Sequence, residues 1–460
     1  MADDPKLRPE DFGFSKRTAA RIDPREGEEI TVNDFYAHMP SHRYIFQPSG
    51  ELWPASSVNA RIRAIEIGTD DKGKPITIPA STWLDKHRFV EQMTWAPGEP
   101  QIIEDKLVSK GGWTVRDGAR VFNRYQPPKL LGGNANGAGP WLDHIRRLYP
   151  NEWQHIVAWL AHRVQFPGAK INHALVLGGS QGIGKDSILY PVIEAVGRWN
   201  YEAISPTVLI GRFNGFVMNV LLQINEARDL GEFNRYQFYE ATKPITAAPP
   251  DTLRVDEKGV KEYSAFNCVG VVLCSNYKTQ GLYLPADDRR HLVAWSERQH
   301  ADLGEAYFAR LYGWYEQCGV ANVGAFLGDY DLSSFDPKAP PPKTGAFWEI
   351  VNSNRSPNVG RLADVLDKIE LERGGNKAQV VTLDLIKRNG DPDLEDWLKK
   401  SIRSIPAALE ECGYVSVPNL DRSSDHLWII NGKRTTVYAL KTLTLSERLQ
   451  AVSEFVGRGG

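Results

Sequence analysis

The sequence predicts a multidomain α/β protein in which a central domain with a parallel sheet lies between a β-rich or α+β N-terminal domain and a C-terminal domain of helices and a hairpin. Three observations predict it. Between His173 and about Tyr330, short and nearly continuous apolar runs alternate with longer segments, the pattern of parallel strands buried on both faces. Up to about residue 130, short alternating runs such as Arg43 to Phe46 and Ala64 to Ile67 are separated by turn clusters such as Asp70 to Lys74. The proline-rich stretch from Asp336 to Lys343 favours extended chain and reads as a stiff linker.

The boundaries follow from these shifts: an accessory domain over 1–130, a helical collar over 131–172, the central domain over 173–335, the linker over 336–345 and the last domain over 346–460. With 460 residues the chain is long enough for about three domains of roughly 100 to 200 residues each. Leu130 to Gly137, rich in glycine and asparagine, reads as a flexible joint. After it, Trp153, Ile156, Val157, Leu160 and Val164 recur at helical spacing. The three best central strands are Ala174 to Leu177, Val217 to Ile224 and Val269 to Cys274. In the last domain a helical stretch from Leu394 to Cys412 precedes two strand-like runs joined by Asn431-Gly432, which tolerate the positive φ of a type I′ turn. Helices followed by such a hairpin predict a winged-helix-like domain.

Composition narrows the function. A net charge of -2 excludes a uniformly basic surface, so any nucleic-acid contact is focused. The four cysteines, Cys268, Cys274, Cys318 and Cys412, form no C-x-x-C pair and no zinc-ribbon spacing, and Cys268 and Cys274 lie in an apolar stretch suited to core packing. With no apolar leader at the N-terminus and no run of ~20 apolar residues, the expectation is a cytoplasmic protein without a membrane span.

The segment that carries chemistry is Gly179, Ser180, Gln181, Gly182, Ile183, Gly184 and Lys185, which spells G-x-x-x-x-G-K after a strand and before a helix. Its glycines let successive backbone N–H groups face a phosphate, the helix N-terminus adds its positive dipole end, and Lys185 reaches the outer phosphates, so ATP is the expected ligand. Asp186 stands where a Ser or Thr would bind Mg²⁺. A carboxylate can hold that ion directly or through water, and Ser187 is the fallback.

The apolar run Val220 to Ile224 ends in Asn225 and Glu226, which brings Glu226 to the strand's carboxyl edge, where it can activate a water against the γ-phosphate. Asn225 occupies the place of a metal-linked carboxylate, and Asp186 is read as its replacement. A third strand runs into Ser275 and Asn276. Asn276 is either a turn former or, given the order along the chain, a sensor of the γ-phosphate. Arg289 and Arg290 follow, as surface ion pairs or as arginines that neutralise charge on the transferring phosphoryl group, one of them from a neighbouring subunit.

This order of strand, G-x4-G-K, apolar run with Asn-Glu, Ser-Asn and Asp-Asp-Arg-Arg resembles superfamily 3 helicases, in particular the helicase part of phage, prophage and plasmid primase-helicases. The resemblance extends from Trp141-Leu-Asp-His-Ile145 to the proline-rich linker and implies a P-loop, AAA+-like central domain. It implies a homo-oligomeric ring, usually hexameric, with an arginine finger in trans at Arg289 or Arg290, and 3′ to 5′ movement on single-stranded and forked DNA. It also implies a DNA-tracking segment between the glutamate and sensor strands, here carrying Lys243, Arg254, Lys258 and Lys261, while Lys433 and Arg434 suit backbone contacts to duplex. No priming constellation is evident in the first 150 residues, so either a separate primase is a partner or the N-terminal domain binds a partner or DNA through residues such as Arg43, Tyr44 and Trp53, which are read first as core residues. The alternatives are an ATPase that loads, remodels or guards DNA without unwinding, and a DNA-binding initiator that uses ATP as a switch.

Overall fold

A computed structural model describes residues 29–129, 132–225, 231–278, 282–353, 357–375, 377–420 and 426–457. The chain forms two compact units, one of Met1–Leu282 with Arg289–Ala346 and one of Tyr283–Asp288 with Phe347–Gly460.

The first unit is built on a five-stranded, all-parallel sheet. Its strands are β1 (Ala174–Gly179), β2 (Tyr201–Ile204), β3 (Leu221–Asn225), β4 (Gly270–Ser275) and β5 (His291–Ser296), in the order β2-β3-β4-β1-β5. Every residue of β1 and β4 is buried, which is why these strands read as unbroken apolar runs. The second predicted strand is shorter than expected: Gly215–Val217 forms a 3-10 turn, and pairing begins only at Leu221. The collar consists of α1 (Gly139–Leu148) and α2 (Trp153–Gln165). Trp141, His144, Ile145 and Leu148 recur at i, i+3, i+4 and i+7 and form the buried face of α1. The helix α3 (Lys185–Val196) follows the loop Gly179–Gly184, and α4 (Gly231–Thr246) follows β3. Between α4 and β4 stands a hairpin of Thr252–Val255 and Tyr263–Phe266.

The N-terminal part is α+β. A four-stranded sheet pairs Glu51–Trp53, Arg43–Phe46, Phe35–His38 and Phe89–Val90 in that order, with helices Ala55–Arg61 and Ala80–His87 packed around Phe35, Tyr44 and Leu84. Tyr44 is buried and the Trp53 ring packs against Phe35 and Phe46, so both serve the core, whereas Arg43 is exposed. A second, three-stranded sheet places Gly112–Asn123 between Gln92–Thr94 and Ile102–Ser109.

The predicted flexible joint is corrected. Leu130 and Leu131 lie outside the described residues, but Gly133 and Gly137 lie so close to the helix Val320–Asp329 that a Cβ would stand 2.1 Å from the Ala321 carbonyl oxygen and 2.4 Å from Asn322 Nδ2. Asn134 N–H donates to Asn322 Oδ1 at 2.8 Å. These glycines are there for close approach, not for mobility. The proline-rich stretch lies along the first unit, where the Pro337 carbonyl accepts from Asn172 N–H and Thr344 Oγ1 donates to the Val293 carbonyl.

In the second unit, helices Pro357–Glu372, Leu383–Asn389, Pro392–Lys400 and Ile405–Glu411 share a core with Tyr414 and Tyr438. The single helix expected over Leu394 to Cys412 is two, because the chain turns at Ser401–Ser404 and Pro406, which favours a helix start, begins the second. A three-stranded antiparallel sheet orders Val380–Thr382, Val437–Leu440 and Tyr414–Val417. Trp428–Ile430 and Lys433–Thr435 form the expected hairpin, with φ of +49° at Asn431 and +77° at Gly432. Among the described residues no helix is long and apolar enough to cross a membrane.

Candidate functional site

The loop Gly179–Gly184 leaves the carboxyl edge of the sheet between its neighbours β4 and β5, where open parallel sheets place their ligands. Two glycines are required by what touches them. At Gly178 a Cβ would fall 2.0 Å from the Trp295 ring, and at Gly184, the N-cap of α3 with φ +91°, it would fall 2.7 Å from His144 Nε2. Lys185 is buried, and its ammonium donates to the carbonyls of Gly179 at 2.7 Å and Ser180 at 3.0 Å and to Asn276 Oδ1 at 2.6 Å. The loop lysine and the Asn that follows β4, far apart in sequence, thus meet. Lys185 directs its donors at hard oxygen acceptors, the chemistry a triphosphate would offer.

Gln223, buried in β3, was missed by the sequence reading. Its Nε2 donates to Asp186 Oδ1 at 2.8 Å and to Asn225 Oδ1 at 2.6 Å, and its own Oε1 accepts from the Tyr201 hydroxyl at 2.8 Å. Asp186 and Asn225 therefore converge on one donor from two different elements. A carboxylate and an amide oxygen are ligand types that Mg²⁺ accepts, but here both are turned to the Gln223 amide, and among the described residues no group of three or more His, Cys, Asp or Glu side chains is placed to hold a metal. Burial, followed by the charge of Asp186, pushes the Cys274 thiol well up, so Cys274 stays a protonated core residue. The Ser187 hydroxyl is engaged elsewhere, 2.6 Å from the Tyr312 hydroxyl, and its carbonyl accepts from Tyr315. Asp186 is exposed and Ser187 buried.

His144, fully buried, was also missed. Because a carbonyl only accepts, its Nε2 carries the proton donated to Gly184 at 2.9 Å, and its Nδ1 accepts from the Tyr307 hydroxyl at 2.9 Å. Burial is the main cause that holds its pKa below the ordinary value and keeps it neutral. A polar residue on the apolar stripe of α1 was the available signal; for Gln223 it was the single amide within Val220 to Ile224.

The opposite end of the sheet holds the arginines. Arg289 is exposed and Arg290 half-buried, immediately before β5, and the Arg290 carbonyl accepts from Ala174 N–H at 2.8 Å. A strand rises about 3.3 Å per residue, so roughly 17 Å of β1 separates that pairing from the loop. Neither arginine lies on the edge that carries Lys185. Glu226 lies outside the described residues.

Lys258 and Lys261 sit exposed at the end of the hairpin, where Gly259 takes φ +77°, and neither forms a salt bridge among the described residues. Arg254 pairs across the hairpin with Glu262. Lys243 is not on the hairpin: it lies in α4, paired with Glu240 and 4.7 Å above the Tyr239 ring. Beside the hairpin's turn, Arg212 bonds Asp256 at 2.9 Å and lies over exposed Phe213, an aromatic the sequence reading passed over. Lys433 and Arg434 are exposed just past the Asn431-Gly432 turn in the second unit.

Residues 177–290 match a family of unknown function (DUF5906), which spans β1 to the arginines. No curated protein matches the sequence. Among solved structures, the chain is similar to the C-terminal region (305–718) of NrS-1 in an apo form, with TM-score 0.56 and 15% identity over 88% of this chain and 95% of that one. A further apo form of the same region gives TM-score 0.57 at 15% identity, covering 88% of this chain and 96% of that one. At such identity the likeness establishes a shared multidomain α/β fold with a parallel sheet.

Proposed function

We propose that the chain is an ATP-dependent DNA helicase or translocase of the superfamily 3 kind, serving the replication of a phage, prophage or plasmid in a bacterial cytoplasm. The observation that carries this reading is the 2.6 Å contact between Lys185 Nζ and Asn276 Oδ1, which joins the phosphate loop to the end of β4 in a β2-β3-β4-β1-β5 sheet. In this reading Lys185 binds the β and γ phosphates and Glu226 activates water. Asn276 reports the γ-phosphate, and Asp186 with Asn225 holds Mg²⁺. Arg289 or Arg290 completes the site of the next subunit in a ring, hexameric by resemblance. The separation of the arginines from the loop along β1 supports action in trans, since no side chain spans it. Lys258, Lys261 and Arg254 grip single-stranded DNA by its phosphates. The sheet order of the second unit and its hairpin support a winged-helix-like domain that places Lys433 and Arg434 on duplex DNA, and a separate primase would supply primers.

The test is ATP hydrolysis with and without single-stranded DNA, for the unmodified protein, Lys185→Ala and Glu226→Gln. DNA-stimulated turnover that both substitutions abolish supports the motor, and forked-duplex unwinding then separates a helicase from an ATPase that only loads or remodels. A second reading, an ATP-dependent DNA-binding switch, is favoured by one observation: an amide, Asn225, at the metal position, with the Gln223 amide between it and Asp186. ATP-dependent DNA affinity with turnover insensitive to DNA and to Glu226→Gln would establish that reading instead.

A further inference from the structure

The hairpin that bears Lys258 and Lys261 leaves the central domain, yet it is rooted in the N-terminal one. The Tyr263 hydroxyl donates to Glu257 Oε2 at 2.5 Å, accepts from Arg124 Nη1 at 2.5 Å and lies 3.0 Å from Met218 Sδ. Arg124 closes the triangle with Glu257 at 2.6 Å. Glu257 adjoins Lys258 at the hairpin end, whereas Arg124 directly follows the long N-terminal strand Gly112–Asn123. Along the hairpin's second strand, Thr94 Oγ1 donates to the Ser264 carbonyl at 3.0 Å and the Phe266 ring packs 5.0 Å from that of Trp113. Val260 and Tyr263 pack against the N-terminal cluster of Tyr36, Ile45 and Phe122.

A swing of the hairpin against the N-terminal domain would break a charge-assisted triangle and uncover apolar surface together. We propose that the N-terminal domain is the mount of the DNA-gripping hairpin: Arg124 and Tyr263 position Lys258 and Lys261, and the hairpin moves only as one body with that domain. This rests on the reading of the hairpin as the DNA contact, and gives the accessory domain a task in coupling.

The experiment compares Tyr263→Phe, Arg124→Gln and Arg124→Lys with the unmodified full chain, reading hydrolysis without DNA, the single-stranded DNA concentration for half-maximal stimulation, and Tm. Loss of a hydrogen bond to a charged group is expected to raise that concentration about tenfold in Arg124→Gln, with partial rescue in Arg124→Lys and DNA-free turnover unchanged. Half-saturation and stimulation unchanged in both Tyr263→Phe and Arg124→Gln would overturn the proposal. In a second arm, a disulfide between Thr94→Cys and Ser264→Cys ties hairpin to mount: stimulated turnover kept in the oxidised protein supports one-body motion, and turnover lost and restored by reduction overturns it. If Lys258→Ala with Lys261→Ala leaves DNA stimulation intact, the DNA-contact reading itself fails, and if the unmodified protein hydrolyses no ATP, the motor reading fails.

Discussion

The glycine-rich loop before α3 and the hairpin both present lysines, and they are held in opposite ways. Lys185 is enclosed, donating to the Gly179 and Ser180 carbonyls of its own loop and to Asn276 Oδ1 just past β4 of the same sheet. Lys258 and Lys261 stand in solvent, and what fixes them is a triangle of side chains beside them at the hairpin's turn end, one corner of which belongs to another domain. The first arrangement is local chemistry and the second is mechanics. Substitutions at the loop should therefore change turnover with or without DNA, and those in the triangle should change only its response to DNA.

Asn276→Ala is the severest test of the loop short of removing Lys185 itself. It strips the side-chain acceptor from a buried ammonium, and ATP turnover is expected to fall on the order of a hundredfold with DNA present or absent, read as phosphate release. A loss confined to the DNA-stimulated rate would break the comparison. Asp186→Asn comes next. If Asp186 has taken over the duty of the carboxylate missing at Asn225, the Mg²⁺ concentration for half-maximal turnover rises about tenfold while nucleotide binding measured without Mg²⁺ changes little.

Acid separates the regions in another way. His155 and His162 are held by burial at a pKa of about 4 and His173 at about 3, all around Phe335 beneath the far end of β1. His155 and His173 share a 2.8 Å contact between their Nε2 atoms, so one ring donates and the other accepts, and both are neutral. In the unfolded chain each histidine takes a proton near pH 6.5, so the unfolded state binds more protons below that value. Stability is fully present above pH 6.5 and falls as pH drops towards 4, by on the order of 1 to 2 kcal/mol for each ring by pH 5. Urea midpoints at pH 7.5 and 5 measure it, and replacement of His155 by Gln should flatten the difference. The mildest expected effect is His144→Gln, which retains a donor for Gly184 and should cost turnover no more than about threefold, whereas His144→Phe removes the donor and should cost about tenfold.

What the sequence disclosed follows the same division. The glycine-rich loop, β1, β4, the Asn that follows β4 and the Asn431-Gly432 hairpin were legible because each is written within a dozen neighbouring residues, whereas the segment bearing Lys258 and Lys261 was marked out only by the family resemblance. Gln223 and His144 were visible only as polar breaks in apolar patterns, and their partners, Asp186 and Gly184, could not be named without the fold. Arg124 gave no signal at all, since Tyr263 and Glu257 lie more than a hundred residues away. The split of Leu394 to Cys412 into two helices was signalled by Pro406, which the reading of one helical stretch left out. The glycines before α1 were misjudged because composition cannot tell a glycine that bends from one that lets another backbone come near.

Those glycines set a limit on how the molecule can be trimmed. Gly133 to Gly137 lies on Ala321 and Asn322 as a strap across the last helix before the linker, with Asn134 tied to the Asn322 side chain. A shortened protein begun at α1, the natural place to isolate the parallel-sheet domain, would strip that helix of its cover and leave the Asn322 amide without its backbone partner. The shortest fragment that keeps that domain whole must start upstream of residue 133, and one meant to keep the hairpin in its seat must start upstream of Phe35.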